Sequence, residues 1–95
     1  MTTTQIDSRI KIEKPDVKRL KELSVEDWAI WTKEPSDFDW HYDDRETCYF
    51  LEGKVIVKTD RGQVEIGKGD LVTFERGLDC HWTVVEAVRK HYSFG

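Results

Sequence analysis

From Pro35 onward the chain is a succession of short apolar, β-branched or aromatic runs cut by turn residues, and no other feature constrains the fold as much. The runs "FDWHY", "TCYFLEG", "KVIVKT", "QVEIGKGD", "LVTFERG", "CHWTVVEAV" and "KHYSF" follow one another, with Gly53, the "DRG" at 60–62, the "GKGD" at 67–70 and Gly77 marking turns. Runs of this length that alternate with period two read as strands. Turns this frequent leave no room for the crossover helices that a parallel sheet requires. The expected class is therefore all-β, with short antiparallel strands in a sandwich or barrel.

Ahead of this region, "RIKIE" alternates Ile10 and Ile12 with charge and reads as an opening strand. After Pro15 and Asp16, Val17, Leu20 and Leu23 recur at threes, which predicts a short one-faced helix. Ser24 is placed to cap a turn into "VEDWAIW", where Trp28, Ile30 and Trp31 return the chain to an apolar surface.

A chain of 95 residues makes one domain with a single core, and four tryptophans compensate for an apolar share of only 38%. Charged residues are interspersed in sign with a net of −4, and no basic stripe with aromatic interleaving is present, so nucleic acid is not an expected partner. The first fifteen residues lack the apolar centre of a signal peptide, and no later run is long enough to span a bilayer. A soluble cytoplasmic protein with no membrane partner is expected. Cys48 and Cys80 are too few for a disulfide framework and read as small buried hydrophobes in a reducing compartment.

Two spacings are specific. Glu46, six intervening residues and Gly53 match the second half of the first cupin motif, and Gly69, five residues, a variable pair and Gly77 match the second, with Asp70 just after its glycine. Together with "ETCYFLEGKV", "KGDLVTFERGLDCHW" and "VRKHY", the chain resembles the small single-domain cupins of the ureidoglycine aminohydrolase-like group over residues 8 to 94. The resemblance implies an RmlC-like jelly-roll β-barrel with a short N-terminal helix over residues 8–95, after a frayed or disordered end over residues 1–7. It also implies a substrate class of small nitrogen-containing or carboxylated metabolites. From the residues themselves, Gly53 is expected where two strands reverse, and Asp70 is expected to accept local amide hydrogens at a tight turn.

Metal-binding cupins present two histidines, a glutamate and a third histidine. By resemblance those positions are Asp39, His41, Glu46 and Cys80 here, a mixed set able to hold Zn, Fe, Mn or Ni. Only His41 and Glu46 keep the usual type, and Glu75 stands where a proline is expected before Gly77. Strand parity also bears on the set. If Asp39 and His41 face the lumen, then Phe38, Trp40 and Tyr42 face out, and the burial forgone is on the order of 2 kcal/mol per aromatic. A metal-free barrel with a solvent-facing His41 is favoured.

By cupin geometry, the faces carrying Glu46, Cys48 and Phe50 and carrying Cys80 and Trp82 line one cavity, with Tyr92 on the last strand. A lone carboxylate inside is costly, so Glu46 requires a partner: a metal, Lys90, Tyr92 or water at the mouth. Lys90 with Glu46 would be an acid–base pair, or else a rim salt bridge of little worth. Trp28, Trp31 and Trp40 read as core or dimer contacts, and His81 and His91 as solvated. Two functions follow: a barrel that binds a small polar metabolite, as an enzyme or otherwise, and a non-catalytic module acting as a homodimer.

Overall fold

The computed structural model describes residues 7–95, so the expected frayed end lies outside the described residues except for Asp7. Asp7 is buried, and its carboxylate accepts hydrogen bonds from Arg9 at 2.7 and 2.9 Å and from the Thr59 hydroxyl at 2.8 Å. A carboxylate removed from water is retained only with such partners, which dock this residue onto the domain.

The elements in chain order are β1 (Ile10–Glu13), α1 (Val17–Leu23), a 3-10 turn (Val25–Asp27), β2 (Ala29–Lys33), β3 (Ser36–His41), β4 (Glu46–Thr59), β5 (Gly62–Gly67), β6 (Leu71–Phe74) and β7 (Asp79–Phe94). Helix α1 starts where Asp16 accepts the Arg19 amide at 2.9 Å. It is too short to bury a face, and Val17 remains 67% exposed. Ser24 does not cap the following turn with its side chain. It ends α1 instead, in a left-handed conformation at φ 55° that lets its N–H reach the Leu20 and Lys21 carbonyls.

All strand pairings are antiparallel, in the order β1-β6-β4-β7-β2, with β3 also on β7 and β5 also on β4. The long strands β4 and β7 organise everything else. The first half of β4 lies between β6 and the second half of β7; its second half lies between β5 and the first half of β7. Both long strands therefore pass from one layer to the other, giving a cupin jelly roll whose sheet is not strictly closed.

Gly53 was expected at a strand reversal. It lies inside β4, where the β4–β7 register slips repeatedly between Phe50 and Val55. Its φ is +97°, and a Cβ there would lie 2.4 Å from the Ala87 carbonyl oxygen. The glycine thus permits a bulge that bends one continuous strand and presses it against β7. "CHWTVVEAV" and "KHYSF" are likewise one strand, β7. Asp70 behaves as expected, accepting the Gly67 amide at 2.8 Å, and it also pairs with Lys14. Phe50, Val55, Val57, Ile66, Val72, Phe74 and Leu78 are fully buried between the layers.

Candidate functional site

Strand β3 settles which residues face inward. Phe38, Trp40 and Tyr42 turn toward the interior and line a cavity of about 210 Å³, while Asp39 and His41 point to the outer surface. Phe38 stands opposite Trp82 in the β3–β7 ladder, and their rings stack at 6.0 Å. Tyr42 stacks on Phe74 at 4.8 Å, and Trp31 of β2 meets Trp82 edge-on at 6.0 Å. Packing of these rings holds the register of β3, since a one-residue slip would turn Phe38 away from Trp82 and Trp31. Trp40 and Phe94, about half exposed, form the mouth.

The floor is charged. Lys90, opposite Phe50 on β7, runs back over Cys48 and donates to Glu46 Oε2 at 2.7 Å. Both side chains are only 6% exposed, so this is a buried ion pair rather than a rim contact. Lys90 Nζ also lies 3.6 Å from Cys48 Sγ, 4.8 Å from the Trp82 ring, 4.9 Å from Trp31 and 5.7 Å from Phe50. The ammonium is thus held by one carboxylate and by aromatic faces, each worth about 0.5–2 kcal/mol as a cation–π contact.

The other polar groups are set by burial. Desolvation raises the Tyr42 hydroxyl far above its ordinary value, and the negative charge of Glu46 adds to the shift, so Tyr42 is a neutral donor at any working pH. Burial pushes the Cys48 thiol up to about 12 and the Cys80 thiol up to about 11, which makes both inert as nucleophiles near neutrality. Trp82 Nε1 is buried beside the Tyr42 hydroxyl and the Cys80 thiol.

A sequence model of the EutQ-like cupin domain matches residues 20–92. The chain belongs to the EutQ-like cupin family. A DUF861 family protein from Thermotoga maritima is 62% identical over 90% of this chain and 99% of its own, and its crystal structure agrees with a TM-score of 0.88. EutQ of Clostridium difficile, 20% identical over 87% of this chain and 66% of its own, gives 0.64 and shares the fold. No curated protein matches the chain.

This EutQ-like cupin does not assemble the donor set considered for a metal. Asp39 is engaged by His81 at 2.9 Å and His41 by Asp79 at 2.7 Å on the outer face, whereas Glu46 is held by Lys90 inside. The Cys80 thiol donates toward the Trp40 carbonyl at 3.7 Å. Among the described residues, no three His, Cys, Asp or Glu side chains are grouped to hold a metal ion. The reason is the parity of β3: its aromatic face is the one worth burying, and Asp39 and His41 occupy the other.

Of the expected pocket residues, Trp82 and Tyr92 line the cavity with Glu46 and Lys90. Phe50 and Cys48 are packed beneath the ion pair, and Cys80 sits behind Trp40. The cavity residues that sequence reasoning assigned elsewhere are Trp31 and Trp40, read as core or dimer contacts. Phe38, Tyr42 and Phe94 likewise went unassigned to it. Shared parity of residues 38, 40 and 42 was the available signal. His81 and His91 are not free on the surface: His81 contacts Asp39 and Asp37, and His91 contacts the Trp28 carbonyl at 3.0 Å.

Proposed function

We propose that this EutQ-like cupin binds a small polar metabolite in its lumen, with Glu46 and Lys90 as a metal-free acid–base pair directed at it. One observation carries the reading: a buried ion pair forms the floor of an open, aromatic-walled cavity. Such a pair is a poor stabiliser, since well-packed apolar replacements are often neutral or more stable by about 1–4 kcal/mol. A barrel that needed only to fill its interior has no use for it. At the end of an accessible cavity, Lys90 can stabilise negative charge developing on a ligand oxygen, and Glu46 can take up and return a proton. The Tyr42 hydroxyl supplies a further donor.

The test is a panel of small metabolites screened by thermal shift against the wild type and against Glu46→Leu combined with Lys90→Met. Compounds that stabilise the wild type are expected to have no effect on the double variant, which stays folded. Equal stabilisation of both proteins would remove the pair from the site.

A homodimer, catalytic or not, is supported by the apolar side chains left outside, Ile30 at 41% and Val85 at 46% exposure. Light scattering that returns the monomer mass at all concentrations would dispose of it. A cytoplasmic location fits the two free, buried cysteines. No helix among the described residues is long and apolar enough to cross a membrane.

A further inference from the structure

Lys90 is set apart from every other lysine of the chain. Of nine lysines, all among the described residues, eight are exposed or half-buried and Lys90 alone is buried. An ammonium carries three N–H donors. Here it meets one strong acceptor, Glu46 Oε2 at 2.7 Å, and one weak acceptor, Cys48 Sγ at 3.6 Å. The rest of the charge is held by ring faces, with Trp82 at 4.8 Å and Trp31 at 4.9 Å. Ring faces attract a positive charge without requiring an N–H. One strong acceptor beside flat faces is the complement of a different cation on the same nitrogen: an iminium, which is planar, positive and carries a single N–H. Glu46, Lys90, Trp31 and Trp82 all line the cavity of about 210 Å³, so the carbon joined to that nitrogen would belong to a molecule held there. Lysine becomes a nucleophile toward carbonyl carbon when it is withdrawn from water and given a base, and both conditions are met here.

We infer that Lys90 forms a reversible iminium with a small aldehyde or ketone in this cavity, with Glu46 moving the protons. The inference rests on the reading above that the cavity binds a small metabolite beside an acid–base pair, and it names the carbonyl class and the bond formed. Glu46 takes one proton from the ammonium, and the freed nitrogen lone pair adds to the carbonyl carbon while the C=O π pair moves to oxygen. A proton passes from nitrogen to that oxygen, giving a neutral carbinolamine. Glu46 then returns its proton to the hydroxyl, the C–O bond breaks, and water leaves as the nitrogen pair closes the C=N bond. The charges at the end are those at the start, one cation on nitrogen and one carboxylate, so the groups that hold the ammonium hold the product. No oxidant, reductant or metal enters the balance.

The experiment incubates the full chain with benzaldehyde and sodium cyanoborohydride, which converts an iminium to a stable secondary amine, and locates the adducts by peptide mass mapping. A buried lysine without a carbonyl site should be the last of the nine to be modified. Lys90 is instead expected to be modified first, to one adduct per chain, ahead of the eight more accessible lysines. Glu46→Gln keeps the shape and removes the base, and is expected to slow modification at Lys90 roughly a hundredfold while leaving the other lysines unchanged. Melting with benzaldehyde alone, without reductant, gives a readout that needs no variant, and a saturable rise is expected. A rise in melting temperature with adducts only on the exposed lysines would overturn the iminium and leave the pocket reading standing. Neither a rise nor a Lys90 adduct would overturn both. Unslowed modification of Lys90 in folded Glu46→Gln would overturn the assignment of Glu46 as the proton carrier.

Discussion

Glu46 and Lys90 are each tolerable only because of the other. Removing one partner of a buried pair strands a charge and costs about 3–5 kcal/mol, whereas replacing both with apolar side chains is close to neutral. Lys90→Met alone is therefore expected to lower stability by about that amount in denaturant unfolding, and Glu46→Leu added to it is expected to restore most of the loss. Additive losses in the double variant would mean that the two side chains are stabilised separately. The same enclosure governs the thiols. With Cys80 at about 11 and Cys48 at about 12, neither should react with a disulfide reagent in the folded protein at pH 7.5, and unfolding should release both. Rapid labelling of either one in the native state would contradict their burial. The need of Glu46 for a partner was legible from sequence, because no carboxylate stays inside alone. Lys90 stands among the partners the sequence offers, alongside a metal, Tyr92 and water, but sequence alone does not choose it. The two stand four residues apart along the ladder and meet only because the lysine stem lies down over Cys48.

At the level of elements, the bulge in β4 and the docking of β3 carry the shape of the cavity. Gly53→Ala places a methyl against the Ala87 backbone at a φ that disfavours side chains. A loss of roughly 3 kcal/mol or more is expected by chemical denaturation, and a loss below about 1 kcal/mol would mean that the bulge relaxes freely. Strand β3 is tied to β7 on its outer face by His81, whose two ring nitrogens lie 2.9 Å from Asp39 and 3.2 Å from Asp37. Carboxylates only accept, so both contacts are hydrogen bonds only when the ring is protonated. Asp39 and then Asp37 accordingly raise the His81 value above the ordinary 6.5. Because the folded value is the raised one, this contribution is complete below about pH 6.5 and fades as the pH climbs through the raised value. His81→Gln should flatten the fall in stability between pH 6 and 8, and an unchanged profile would show that the exposed pair is screened out. Why was the strand map readable while its breaks were not? Alternation in "FDWHY" and "HWTVV" marks faces, but a glycine fits a reversal and a bulge equally well, and only the partner strand decides between them.

For the molecule as a whole, the jelly roll follows from patterning that the sequence displays openly. The cavity follows from a choice between the two faces of residues 38–42, decided by the burial of Tyr42 and the partial burial of Phe38 and Trp40. The mixed metal set does not survive that choice. Saturating Zn²⁺, Mn²⁺ or Ni²⁺ is therefore expected to leave the melting temperature within about 1 °C, whereas a site filled at a hundred times its Kd would add about 2.7 kcal/mol and several degrees. A rise of that size would show that a metal finds ligands elsewhere. The long strands have one further consequence. The charged floor belongs to β4 and β7, at the centre of the architecture, while much of the wall comes from β2 and β3, which flank a single edge of β7. The ion pair and the aromatic wall therefore reside on separable parts of the scaffold. Exchanging Trp31, Phe38 or Trp40 would reshape the cavity without rebuilding the pair beneath them.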